Sequence, residues 1–434
     1  MMLVGSESWA VCYVDQNAKG KNDGSSWANA YVHPQLALIN GCTEIWVAKG
    51  VYTPVLAGSD PTVSFDIPAG TKMYGGFAGS ESSIDQRLPA TNQVILSGDV
   101  DHNDYNPGNW MDRTAADIVG SNSNHIVIFY GTSAMPITLS TVLDGFLIAG
   151  GNTDNNGGGS AIICSGETDS VKCTPILNNL VLAGNKSESA GAVYLQGGGD
   201  IAVSNSIFIG NSAQEGGALF VSKSSGSALF TKCAFINNSA AKSGGAASTY
   251  ANTHMYFENV TFSGNVAFGT RDAAGGALDV EGGELTLTNT TFSNNFVPGL
   301  DGAGGAIVAN AGGPISIRNT IFWNNKASSD HSYDDVALYG PAGIEHSVLA
   351  AGCPTGVTCT TITSEDPRLS YAGNHGGSTI TLLPGAGGSA IDNGDNSVCP
   401  LVDQRGVPRT DGRCDIGAVE WRLSDDTIFR NGFQ

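Results

Sequence analysis

Asp279 and Glu281 stand two apart in the stretch GGALDVEGG, residues 275 to 283. On a β-strand, side chains at i and i+2 leave the same face ~6.6 to 7 Å apart. That lies within the ~6.5 to 9.5 Å separating proton donor and base in inverting glycosidases. Asp279 and Glu281 are therefore the candidate catalytic pair for cutting a glycosidic bond. Tyr194, Phe220 and Tyr250 would stack on sugar rings, Gln196 would bind hydroxyls, and Lys223 and Arg271 would border the groove. A lyase would instead need Lys223, Arg271 or His254 as its base, and a cation to neutralise a uronate. The plainer reading is that an acidic i, i+2 pair keeps an exposed strand soluble and discourages edge pairing. Cover by a loop such as residues 266 to 274 would equally account for the rings.

A second cluster, DVDHNDYNPGNWMD at residues 99 to 112, gathers Asp99, Asp101, Asn103, Asp104 and Asp112. Oxygen ligands of this kind suit calcium, with Asp99, Asp101 and Asn103 as the candidate set. The loop is no EF-hand, because Asp104 stands where that motif needs glycine. A polar surface loop explains it as well. The histidines show no metal-binding spacing, and the glycine-rich stretches are turns without a following helix.

What must position these residues is a repeat. NNLVLAGN, SNSIFIGN, TKCAFINN, ENVTFSGN, TNTTFSNN and RNTIFWNN superimpose, ending at Asn185, Asn211, Asn238, Asn265, Asn295 and Asn325. A second series, AGAVYL, GGALFV, GGAAST, GGALDV and GGAIVA, begins at residues 190, 216, 244, 275 and 304. Each unit offers short strands too small to bury their own apolar face, so neighbouring units must stack. The expected fold is all-β, a right-handed parallel β-helix, with the hand set by the bias of parallel crossovers. Phe208, Phe235, Phe262, Phe292 and Phe322 should form one internal file, and Val203, Phe230, Phe257, Leu287 and Ile317 another. In the second series, Tyr194, Phe220, Ser248, Asp279 and Val308 should face solvent, followed by Gln196, Ser222, Tyr250, Glu281 and Asn310. Residues 28 to 40 are expected to form a short helix covering the N-terminal coil. The divisions expected are 1–136 for the cap and first coils, 137–345 for the regular array, 346–422 for C-terminal coils and capping, and 423–434 for a tail.

The 434 residues include 59 glycines, too many for long helices, and 40 acidic against 20 basic residues, a formal net charge of −20. Such a surface repels nucleic acid and anionic membranes and weighs against a polyanionic substrate. No apolar run is long enough to span a membrane as a helix, and MMLVGSESWAVCYV lacks the charged and apolar regions of a signal peptide. Among nine cysteines, spacing pairs Cys12 with Cys42, Cys164 with Cys173, Cys353 with Cys359 and Cys399 with Cys414, leaving Cys233 buried. Disulfides point to an oxidising compartment, either outside the cell or on its surface.

With the repeats in view, the chain resembles secreted bacterial β-helix proteins of the pectate-lyase-like superfamily, and its GGA and FxxN pairs resemble polymorphic outer-membrane protein repeats. The segments DPRL, NHGGST, LLPG, SAIDNG, DQRGVPR and CDIGAVE, between residues 366 and 420, are similar to the choice-of-anchor Q domain of such proteins. The resemblance implies fold and export, not a reaction. In DQRGVPR and CDIGAVE, ion pairs of Arg405 and Arg409 with Asp403, Asp415 and Glu420 should staple the final coil as a cap. Two functions follow: a carbohydrate-active or polysaccharide-binding protein working on the Tyr194 to Glu281 face, or a non-catalytic adhesin or matrix protein.

Overall fold

A computed structural model describes residues 11–56, 58–105, 108–153, 157–222, 226–250, 253–269, 275–299, 302–327, 335–409 and 412–425. One coil shows the plan. Leu219–Ser222, Gly226–Thr231, Ala234–Ile236 and Ser239–Ser243 are its four strands, and a glycine pair then opens the next coil. Strands of one kind pair in parallel with their counterparts a coil away, giving sheets of nine, 21 and seven strands among the described residues. The 21-stranded sheet holds both middle strands of every coil, and it runs from Cys12–Val14 to Thr358–Thr363.

Three corners close each coil, each with its own chemistry. Between the two middle strands a residue adopts positive φ: Asn179, Asn205, Lys232, Asn259, Asn289 and Asn319, all near 50°. Asparagine tolerates this left-handed conformation better than other side chains do. The second corner buries Asn185, Asn211, Asn238, Asn265, Asn295 and Asn325. From Asn211 onward each side-chain oxygen accepts from the backbone N–H and Nδ2 of the asparagine one coil before, at 2.8 to 3.1 Å, while that of Asn185 accepts from the Gly151 amide. The third corner is the glycine pair. At Gly275, φ is +62° and a Cβ would lie 1.7 Å from the Leu278 carbonyl oxygen, so no other residue fits.

Inside, Phe208, Phe235, Phe262, Phe292 and Phe322 stack with centroids 4.4, 4.8, 4.6 and 5.0 Å apart. The second file also forms, with Val203, Phe230, Phe257, Leu287 and Ile317 in register. Each phenylalanine so buried contributes ~1.5 to 3 kcal/mol. The helix at the N-terminal end is shorter than expected, Pro34–Ile39. Pro34 sets its first turn, His33 Nδ1 accepts from the Gln35 amide, and Trp27–Asn29 forms a separate 3₁₀ turn. All four expected disulfides are present and Cys233 is free and buried.

The C-terminal segment corrects one expectation. It is not a cap on the last coil: it lies along the flank of the 21-stranded sheet as a strap. Asn259 Nδ2 donates to Val402 O at 3.0 Å, and Gln404 Nε2 to Cys233 O at 3.1 Å. Asn289 donates to the carbonyls of Asp415 and Gly417, and Asn319 exchanges hydrogen bonds with the backbone of Asp395. Ala390 and Ile416 pack on Ile321 and Val348. The physical reason is the asparagine corner, whose side-chain amides stand ready to bind a passing main chain. Two of the expected ion pairs form and hold the strap itself together, Arg405 with Asp403 at 3.0 Å and Arg409 with Glu420 at 2.5 Å; Arg405 also pairs with Asp425 at 3.3 Å, while the Asp415 carboxylate accepts instead from the backbone amides of Asp392 and Trp421.

Candidate functional site

The file expected to face solvent is Tyr194, Phe220, Ser248, Asp279 and Val308, and these residues are indeed in register one coil apart. Its exposure is not as expected. Phe220 is 6 % exposed, Ser248 1 %, Asp279 3 % and Val308 6 %, while Tyr194 is half-buried. The glycine corner explains the difference. A Cβ on Gly244 would come within 2.9 Å of the Ser248 Cβ, and one on Gly304 within 2.8 Å of Val308 Cγ2. The turn thus closes against the outward position nearest to it, whereas the position two residues further on stays open. There Gln196, Ser222 and Glu281 are half-buried, Asn310 is exposed and Tyr250 is 50 % exposed.

The three rings meet. Tyr194 and Phe220 have centroids 5.8 Å apart, and Phe220 and Tyr250 5.5 Å at an edge-on angle of 69°. Edge-on and offset contacts are the preferred aromatic arrangements. Asn310 Nδ2 donates to Glu281 Oε2 at 3.2 Å across one coil.

Asp279 is held by its surroundings in an unusual state. Burial pushes its carboxyl up to about 7, with the charges of Glu281 and Glu215 adding to the effect. Ser243 and Ser248 lie near enough to favour the carboxylate in part. Yet neither Asp279 Oδ1 nor Ser248 Oγ closes a hydrogen bond of normal geometry. Burial, and next Glu215, push the Tyr250 hydroxyl up to about 12. Glu215 itself takes an ion pair from Lys242 at 3.2 Å.

Glu215 and Ser243 were missed in the sequence. Both immediately precede a glycine pair and occupy one register position, Glu215 beside Ser243. That shared position in the repeat was the available signal. Lys223 and Arg271 lie outside the described residues. His254 is on the 21-stranded sheet, where it pairs with Glu284 at 3.2 Å, so the structure does not bring it to Asp279.

The acidic loop is spent on its own folding. Asp99 accepts from the amides of Asn103 and Asp104, and Asp101 from the Ser121 amide and the Asn103 side chain. Asp104 pairs with buried Arg113 and accepts from Val119 and Asn122. Burial raises the Asp99 carboxyl, with Asp104 and Asp101 contributing as like charges. Among the described residues no group of three or more His, Cys, Asp or Glu is arranged to hold a metal ion. The candidate calcium set of Asp99, Asp101 and Asn103 lies in a loop closed by side-chain to backbone hydrogen bonds.

Comparison with known proteins bears on the fold. A family model described as the right handed beta helix region matches residues 160–340. The chain is a right-handed parallel β-helix. Among solved structures, pectate lyase Pel9A matches this β-helix with a TM-score of 0.46 and 13 % identity, over 95 % of this chain and 96 % of that one. No curated protein matches the chain. No helix among the described residues is long and apolar enough to cross a membrane.

Proposed function

We propose that this β-helix is an extracellular polysaccharide-binding protein. It holds a neutral glycan along the open edge of the nine-stranded sheet, where Gln196, Ser222, Tyr250, Glu281 and Asn310 follow one another coil by coil. The observation that carries the reading is the ring chain Tyr194–Phe220–Tyr250, buried at its centre and open to solvent at Tyr250. A ring braced from behind presents its apolar face to a sugar at little entropic cost, and the amides and carboxylate beside it suit hydroxyl groups. The 40 acidic residues against 20 basic ones support a neutral rather than an anionic glycan. Four disulfides support an oxidising compartment, and the resemblance to outer-membrane repeats and to the choice-of-anchor Q domain supports display at a cell surface.

Cleavage is the second reading, favoured by one observation. Asp279 keeps its proton up to about pH 7 two residues from Glu281, the division of labour expected of a general acid and a base. Its burial places binding ahead of catalysis, because a substrate oxygen must reach a proton donor to within hydrogen-bond distance. Incubation with a panel of neutral and acidic polysaccharides separates the readings. Retention without new reducing ends or unsaturated products is the outcome expected for binding. Release of reducing ends that is lost in Asp279→Asn and Glu281→Gln would establish cleavage, and no retention of any glycan would contradict both.

A further inference from the structure

The open file of the nine-stranded sheet is longer than the stretch from Gln196 to Asn310. Strand register extends it at both ends. Beyond Glu281, Asn310 pairs with Tyr339 on Val336–Tyr339. At the other end Ser165, beside Cys164 and so next to Gln196, pairs with Tyr130 on Val127–Gly131. Tyr130, Tyr250 and Tyr339 therefore occupy one register position, with four coil steps from the first to the second and three from the second to the third.

All three rings are open, at 54 %, 50 % and 53 % exposure, and the described residues include only two other exposed tyrosines, Tyr105 and Tyr371. Single apolar side chains scattered over a surface need no explanation, but three rings returning to one line do. Between them the file is polar, with Ser165, Gln196 and Ser222 before Tyr250 and Glu281 and Asn310 after it. Glu281 is the one charged member of the file, and Asn310 Nδ2 donates to it at 3.2 Å.

We propose that the nine-stranded sheet binds a linear, neutral polysaccharide lengthwise, along the axis of the stack, with Tyr130, Tyr250 and Tyr339 as three separate stacking points. This rests on the glycan reading above and adds to it two binding residues, a direction and a minimum length. At ~4.8 Å for each coil, the rings stand ~19 Å and ~14 Å apart and the whole file spans ~34 Å. A disaccharide is shorter than either gap, so it gains one ring only. A chain that reaches all three makes its second and third contacts at the high effective concentration of a tethered ligand. A straight row of contacts suits an extended polymer, and a row with one carboxylate and no described cation suits a neutral one. The net charge of −20 opposes a second copy of the protein as the occupant.

The test uses the full chain in native gels cast with a soluble linear glucan, mannan or xylan, competed by the matching oligosaccharides from dimer to octamer. At least one polymer should retard the protein, and competition should strengthen about tenfold or more from dimer to octamer. Tyr130→Ala and Tyr339→Ala, at exposed positions where the melting profile should not change, are each expected to reduce retardation about threefold or more. Unaltered retardation in either variant, or a dimer that competes as well as the octamer, would overturn lengthwise binding while the glycan reading survives through the effect of Tyr250→Ala. Retardation by none of the polymers would overturn both. Dimers in light scattering that Tyr130→Ala and Tyr339→Ala dissolve would assign the file to a second copy instead.

Discussion

The side-chain oxygen of Asn211 accepts two hydrogen bonds from Asn185, one from the backbone N–H and one from Nδ2, both at 3.0 Å. Asn211 in turn gives the same pair of bonds to Asn238, and its Nδ2 also donates to Leu182 O. Every member is buried, so removing one strands a neighbour without water to replace it. Asn211→Ala should cost ~2 to 4 kcal/mol, the sum of an unpaired amide and a small cavity. Chemical denaturation would read this as a lower midpoint, and an unchanged midpoint would mean that the ladder is passive.

Asp279 predicts an inverted pH dependence. Its folded carboxyl lies at about 7 against an ordinary value of 3.8, so between those values the native state holds a proton that the unfolded state has lost. Native stability from this group is greatest below pH 3.8 and falls as the pH rises towards 7, by ~1.4 kcal/mol for each pH step of one in that window. Asp279→Asn should therefore stabilise the protein at pH 8 and leave it nearly unchanged at pH 4. Denaturation of both proteins at the two pH values checks the sign.

Arg409 neutralises Glu420 with both side chains 3 % exposed, and it also donates to Asn259 on the coil beneath. Arg409→Ala would leave a buried carboxylate without its counter-charge, at a cost of ~3 to 5 kcal/mol. The loss should be local, so hydrogen exchange is expected to speed up in residues 399–420 before it does in the phenylalanine-lined coils. Uniform acceleration throughout the chain would show the strap to be integral to the stack.

Reduction of Cys399–Cys414, a 15-residue loop, should release the same segment, since such a closure is worth ~3 kcal/mol. Limited proteolysis under mild reductant is expected to cut first between residues 396 and 414. Cleavage within the Phe208 to Phe322 array under those conditions would contradict this order.

Much of the fold was legible because a coil repeat writes its geometry into the chain. The spacing of Asn185, Asn211 and Asn238 showed which residues become vertical neighbours, and the phenylalanine files followed, while the disulfides were legible from the local spacing of the cysteines. The burial of Asp279 was not legible. Alternation along a strand says which way a side chain points, but not that a glycine corner from the same coil closes over it. The strap was hidden for another reason: Gln404 meets Thr261 across 143 residues, and no periodic pattern marks such a contact. In the acidic loop, the residue types that suit calcium are also those that cap turns, and Asp99 and Asp101 accept from backbone amides there.

The central claim is that a glycan lies against the open edge of the nine-stranded sheet at Tyr250. Isothermal titration of the polysaccharide retained in the panel, with the unaltered protein and with Tyr250→Ala, tests it most directly. The account predicts affinity at least tenfold weaker for Tyr250→Ala, equivalent to ~1.4 kcal/mol, with the melting profile preserved. Equal affinity in the two proteins would contradict it.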